Sequence, residues 1–346
     1  MRFKIAVLTF LALILTVAGA TQPRAEILHE FDFVMAHKPD NEQNVALIKE
    51  FTQKVFDRTG GAVKINAVNY GGETRGQPTD SINSIPASVY TGEIGMSQIA
   101  IKLFSRYSDT MEALNMPMVF RDHDHVEKVV DGDIGKSIID DLYKSTDGQI
   151  QGLAFTYSGG FRNIFTTGKA VTSVADLNGM KMRYRSNPGG RDAVHYLGLD
   201  QDVALNFGWE KKIAEGAVLA EEAETLRLLT YDNMQPEIVE NTKSVLVTNH
   251  SVYLTLIALH GPLFESLSPE HRLILQEEAD NLSEKERQLS IQQAIDGRKM
   301  FEERGIIFVD MSDEDRKALA TMGNKVHNKY KGTPVGRVMQ DIINTQ

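Results

Sequence analysis

Residues 173–186 read Ser-Val-Ala-Asp-Leu-Asn-Gly-Met-Lys-Met-Arg-Tyr-Arg-Ser. Ser173 and Asp176 stand at capping-box spacing, which predicts a short helix that Gly179 ends. Lys181 to Ser186 follows as a strand. Side chains alternate along a strand, so Met182 and Tyr184 face one way while Lys181, Arg183 and Arg185 face the other. One face of this strand is strongly cationic.

Outward from it, strand and helix patterns alternate. Upstream, Gln149 to Tyr157 reads as a strand broken by Gly159-Gly160, and Arg162 follows directly. Glu30 to Met35, Val63 to Val68 and Ile94 to Ile99 are further strands. Leu47, Phe51 and Val55 recur at helical spacing before Gly60-Gly61 closes that helix. Gly71 to Pro78 reads as a loop. Downstream, Ser268 as N-cap with Pro269 in the first turn opens a helix that nothing breaks before Gly305. Such a helix is about 50 Å long, more than the width of a small lobe, so it lies across two. The alternation, without a flexible linker, predicts an α/β protein whose lobes exchange chain more than once.

The chain has 346 residues with 37 Lys and Arg against 47 Asp and Glu, a net charge of −10. That balance argues against nucleic acid as a partner. With no cysteine, disulfides, thiolate metal sites and Cys nucleophiles are excluded. Arg2 and Lys4 precede an uncharged run, Ile5 to Val17, and Ala18-Gly19-Ala20 offers a signal-peptidase site. The run is too short to span a bilayer. Cleavage after Ala20 takes the net charge to −12 and delivers the protein to the periplasm.

Several clusters invite a chemical reading. His123-Asp124-His125 has metal-ligand spacing but no evident third ligand, and its charged surroundings predict a solvated turn capping the helix that follows. The glycine pairs at 71–72, 159–160 and 189–190 lack the companions of a phosphate loop, so no cofactor or metal is expected. Glu215, Glu221, Glu222 and Glu224 could supply paired carboxylates. On a helix Glu221 and Glu224 would share a face, and such a run is ordinarily solvated surface. Arg162 and Arg183 carry the sharper signal.

In this setting the chain resembles the solute-binding proteins of tripartite ATP-independent periplasmic (TRAP) transporters. The resemblance runs through Thr59-Gly60-Gly61, Tyr70-Gly71-Gly72-Glu73, Gly92 to Met96 and Ala113 to Asp122. It is strongest at Gly160-Phe161-Arg162 and Asp176 to Arg183, and continues through Thr248-Asn249-His250-Ser251 and Leu267-Ser268-Pro269-Glu270. It implies a two-lobed α/β periplasmic binding protein fold, each lobe a mixed sheet flanked by helices, with the long C-terminal helix across both. Lobe I is then 26–159 plus 249–290, and lobe II 160–248 plus 291–346. It implies no catalytic step: a small organic acid enters an interlobe cleft and passes to the TRAP membrane permease, which an ion gradient drives. In the family the arginine at the position of Arg183 clamps the ligand carboxylate and that of Arg162 assists. A guanidinium gives two parallel charge-assisted hydrogen bonds where lysine cannot. Glu73, Phe207, Trp209, Glu222 and Arg185 complete the expected cleft, and a monomer is expected.

The chain also departs from the family. Where members commonly read Gly-x-x-Asp-Gly-x-Glu-Asn, Gly216 is followed by Leu219, Ala220, Glu222 and Ala223 at the marked positions. A one-residue slip would put Glu224 where the Asn belongs. The usual pocket aromatic aligns with Asn206, leaving that wall to Phe207 or Trp209. The added acidic residues point to a hydroxy acid, sugar acid or zwitterion, and away from a plain C4-dicarboxylate beside an ionised Glu222. Two other readings share these residues: a binding protein presenting its ligand to a sensor kinase, and a hydrolase or lyase built on the Glu cluster or on His123 and His125.

Overall fold

The computed structural model describes residues 26–35, 42–69, 73–74, 77–78, 82–183, 188–201, 209–215 and 220–346. The expected signal segment, Arg185 and Phe207 lie outside them.

The strands are β1 (His29–Met35), β2 (Val63–Asn69), β3 (Glu73–Thr74), β4 (Gln77–Pro78), β5 (Met96–Ala100), β6 (Ile150–Thr167), β7 (Lys181–Arg183), β8 (Asp200–Gln201), β9 (Ala220–Glu224), β10 (Thr242–His260) and β11 (Ile307–Asp310). All but β3 and β4 join one mixed sheet in the order β2-β1-β5-β10-β6-β9-β7-β8, with β11 also on β10. The helices are α1 (Glu42–Arg58), α2 (Ile85–Thr91), α3 (His123–Val130), α4 (Asp133–Ser145), α5 (Pro188–Tyr196), α6 (Trp209–Ala214), α7 (Thr225–Met234), α8 (Pro236–Asn241), α9 (Gly261–Ser266), α10 (Pro269–Glu303), α11 (Asp313–Lys329) and α12 (Pro334–Asn344).

Two long antiparallel strands organise the sheet. The first half of β6 pairs with the second half of β10, which borders β5 and, beyond it, β1 and β2. The second half of β6 borders β9, and the first half of β10 borders β11. Gly159-Gly160 was expected to break the strand, but β6 runs through the pair. Both glycines take positive φ, +109° and +75°, and the register with β10 shifts beside them, between Tyr253 and Leu254. The backbone bends without ending, which glycine permits at little cost. A second shift lies between Leu246 and Ser251, where Asn249 sits at φ +44°. Both long strands are therefore irregular where they pass from one half of the sheet to the other.

Helices cover both faces. Val45, Ile48, Phe51 and Val55 of α1 form one buried stripe against Phe31 and Phe33 of β1, with the Phe33 and Phe51 rings edge to face at 5.8 Å. Helix α10 starts as expected: the Ser268 hydroxyl accepts from His271 N–H at 3.1 Å. Its first turns are tied to α1 through Arg58–Glu278 and Lys285–Glu50, both 2.7 Å. Its last turns reach α7, where a Cβ on Gly297 would stand 3.1 Å from Thr225 Cγ2. The helix thus crosses both halves of the sheet, and Gly297 lets it pass close to α7 without breaking. The capping box at Ser173 and Asp176 is present and holds one short 3-10 turn, Val174–Leu177.

His123 and His125 do not form the solvated turn expected of them. Asp122 is the N-cap of α3, and both imidazoles fall in its first turn. His125 is 1% exposed; its Nδ1 accepts from Arg121 N–H at 3.2 Å and its Nε2 donates to Ile342 O at 2.9 Å. His123 packs on Phe161 and meets the Tyr157 hydroxyl at 3.2 Å. Burial lowers the pKa of both. The C-terminal helix α12 and the middle of β6 cover residues that local sequence made look exposed.

Candidate functional site

The glutamate run is a strand rather than a solvated helix. Residues 220–224 form β9, buried between β6 and β7. Tertiary pairing overrides helix propensity here, because each acid finds a guanidinium. Glu221 pairs with Arg183 at 2.5 Å, Glu222 with Arg162 at 2.9 Å and Glu224 with Arg227 at 3.5 Å.

The pleat then separates these pairs. Arg162 is opposite Glu224 and Ile164 opposite Glu222, so all four share one face; Arg183 is opposite Glu221 on the other. The packing agrees: Ile164 and Met182 belong to the main core, whereas Phe165, Ala223 and Tyr231 form a separate cluster. On the second face Glu221 also accepts from the Tyr231 hydroxyl at 2.9 Å, and Arg183 is 3% exposed. The two arginines expected to clamp one carboxylate are thus on opposite sides of the sheet.

The first face opens into a narrow recess. Arg162 and Glu222 line it together with His250 and Ser251 of β10. Three donors converge on Glu222 Oε1: Arg162 Nη1 at 2.9 Å, Ser251 Oγ at 3.1 Å and His250 Nε2 at 3.5 Å. Burial opposes ionisation of Glu222, but the Arg162 charge and the His250 contact outweigh it and hold its pKa well below the carboxylate range. Burial works against Arg162 in the same way, and the Glu222 and Glu224 charges keep it firmly protonated. The guanidinium lies 4.6 Å over the Tyr253 ring, a cation–π contact that fixes its plane. Its Nε is buried without a hydrogen-bond partner.

His250 is positioned by strained backbone on both sides. Asn249, at φ +44°, donates its N–H to Asn163 Oδ1 at 3.0 Å. Met118, at φ +60°, donates its N–H to His250 O at 2.6 Å. Thr248 Oγ1 meets His250 Nδ1 at 2.7 Å. Non-glycine residues in this region cost energy that well-packed functional sites absorb.

Of the seven expected cleft residues, the structure brings Arg162 and Glu222 together and places Arg183 behind them. Between Glu222 and Glu224, Glu222 lines the recess. Glu73 lies in β3 and Trp209 opens α6; Phe207 and Arg185 lie outside the described residues. His250 and Ser251 were not singled out as ligand residues, although the Thr248–Ser251 stretch carried part of the resemblance. Lys102 and Asn115, before β6, also line the recess; Asn115 fell within the Ala113–Asp122 stretch of the resemblance, and Lys102 had no sequence signal.

A mixed sheet shared by two halves, crossed by one long helix and holding a buried guanidinium in a recess, defines a solute-binding protein. The family model for bacterial extracellular solute-binding proteins, family 7 (DctP), matches residues 33–333. The chain belongs to that family, the solute-binding proteins of TRAP transporters, and its fold is their two-lobed one. The 2,3-diketo-L-gulonate-binding periplasmic protein YiaO of Escherichia coli (strain K12) is 26% identical over 86% of this chain and 85% of its own. A TRAP periplasmic solute-binding protein from Citrobacter koseri with bound D-glucuronate superposes with a TM-score of 0.76 at 20% identity, covering 92% of this chain and 99% of that one. Another, from Sulfurospirillum deleyianum with bound succinate, gives 0.74 at 14% identity over 93% and 100%.

Proposed function

We propose that this protein captures a carboxylate-bearing small molecule, a hydroxy acid, sugar acid or zwitterion, and delivers it to a TRAP membrane permease without transforming it. Arg162 is the carboxylate anchor. It spends Nη1 on Glu222, is braced by Tyr253 and keeps a buried Nε unpaired. That unpaired Nε carries the proposal: a buried donor without a partner costs free energy that an incoming anion repays. Glu222, bonded through Oε1, offers its other oxygen to a ligand hydroxyl or ammonium.

The lobes are 26–159 plus 249–290 and 160–248 plus 291–346, with Gly159-Gly160 and Asn249 at the crossings. The signal peptide is cleaved after Ala20, and the mature protein is a periplasmic monomer. The family position of Arg183 supports a ligand role for it; the present geometry favours Arg162. The engagement of every β9 carboxylate with an arginine weighs against a hydrolase using that cluster.

The test is a thermal-shift screen of protein unfolded and refolded to remove carried-over ligand. The panel holds sugar acids, hydroxy acids, oxo acids, amino acids and dicarboxylates. A ligand at 100 times its Kd adds about 2.7 kcal/mol of stability. A carboxylate hit with no turnover is expected; a silent panel, or chemical change of the bound compound, overturns the proposal.

A further inference from the structure

We infer that the ligand is a compact monocarboxylate with a hydrogen-bond donor at C2 and an apolar tail, not a polyhydroxylated acid; this rests on the carboxylate clamp proposed above. The recess changes polarity across the sheet. Arg162 and Ser251 are register partners on neighbouring strands, with Glu222 bonded to both. Next to this polar group the described floor turns apolar. Ile164, two residues along β6 and on the same face, is the register partner of Glu222, and Met182 on β7 is the partner of Ala220. Gly190, Ala193 and Val194 of α5 and Leu197 just past its end also line the recess, while Lys102 and Asn115, from before β6, add polar groups to it.

A carboxylate on Arg162 therefore brings the adjoining carbon to Glu222. An ionised carboxylate only accepts hydrogen bonds, so the group at C2 must donate: a hydroxyl or an ammonium, not an oxo group. Directly opposed residues of neighbouring strands stand about 5 Å apart, so the following carbons lie over Ile164 and Met182 beneath Val194 and Leu197. Hydroxyls there meet carbon and a thioether. Each one left unpaired weakens binding roughly 5- to 150-fold.

Isothermal titration with refolded protein tests this, using 2-hydroxyisocaproate, leucine, 2-oxoisocaproate, 4-methylpentanoate, gluconate and glucuronate. The hydroxy or amino acid should bind at least about tenfold more tightly than gluconate, glucuronate or the two acids lacking a C2 donor. The hydroxy and amino compounds tell which donor the site takes. Leu197→Gln, at a partly buried position, and Val194→Thr, nearly isosteric, should each shrink the preference over gluconate several-fold. Gluconate or glucuronate binding as tightly as 2-hydroxyisocaproate, or an unchanged ratio in both variants, overturns the inference. The paired variant Arg162→Met with Glu222→Gln separates the two levels. If affinity collapses in it while polyhydroxy acids are preferred, only the apolar-tail assignment falls. If it binds as the wild type does, or if no carboxylate binds the parent, the clamp falls too.

Discussion

Arg162 holds a buried glutamate and, on the proposed function, a ligand carboxylate, and the two roles separate by mutation. Arg162→Met removes both. Arg162 and Glu222 side chains are 16% and 6% exposed, so the single variant strands a buried charge and should lose about 3–5 kcal/mol of stability. It should also lose about 2–5 kcal/mol of binding, which is roughly 30-fold to several thousand-fold in Kd. Adding Glu222→Gln removes the stranded charge, so the double variant should recover most of the stability and little of the affinity. Arg183→Met with Glu221→Gln is the matched control on the other face; it should alter the denaturation midpoint and change affinity less than threefold. Urea denaturation reads stability, and titration with the best ligand of the screen reads binding. A double variant at Arg162 and Glu222 that binds as tightly as the wild type refutes the anchor. A collapse of affinity in the Arg183 control, with the fold intact, would return the anchor to that arginine.

Other consequences follow from particular residues. Gly159→Ala would place a Cβ 2.1 Å from Glu224 Cγ at a φ of +109°; a loss of about 2–5 kcal/mol is expected by urea denaturation, and a loss under 0.5 kcal/mol would contradict the bend. Asn249→Gly should be nearly neutral because the bond to Asn163 uses backbone N–H. Asn249→Val should lower stability by about 1–2 kcal/mol and weaken binding by displacing His250; equal behaviour of the two variants would count against that role. Burial lowers the His125 pKa, so the unfolded chain takes up the proton first as pH falls. Its contribution is complete above the unfolded value near 6.5 and is lost toward the lower folded value, with a slope of up to about 1.4 kcal/mol per pH unit. His123 and His327 shift in the same direction. Denaturation of His125→Asn between pH 7.5 and 5 should show a flatter pH dependence, and an unchanged slope would rule out this histidine as a source.

The regular elements were legible because each rests on local chemistry. Ser268 with Pro269 and the Ser173–Asp176 box are helix starts that the sequence states outright, and the α1 stripe follows the helical period. What misled was context that arrives from far along the chain. His125 looks solvated until Ile342, more than two hundred positions later, covers it. Glu221 and Glu222 look like helix surface because their partners stand at 183 and 162. Gly159-Gly160 carries the punctuation of a strand end, yet β10 pairs on both sides of it and keeps β6 continuous. The arginines were singled out by type and setting. Their separation onto two faces followed from the period-two reading of β7, which already turned Arg183 away from Met182; Met182 is the one that lines the recess.

The pairing on β9 also changes what the departure from the family motif means. Three glutamates in five residues suggest a cleft that repels anions. The strand instead carries as many guanidinium partners as acids, so the added charge is spent inside the sheet, and a buried pair of this kind contributes geometry more than net stability. Glu222 reaches the recess with its charge already countered by Arg162 and its Oε1 occupied. A second ligand carboxylate near Glu222 would therefore meet little direct repulsion, but it would have to shed its water beside Ile164 and Met182. On the proposed function, any selection against dicarboxylates would come from desolvation over an apolar floor. This distinction is measurable. Repulsion by Glu222 predicts that Glu222→Gln admits succinate, whereas desolvation predicts that succinate stays excluded until the floor itself is made polar.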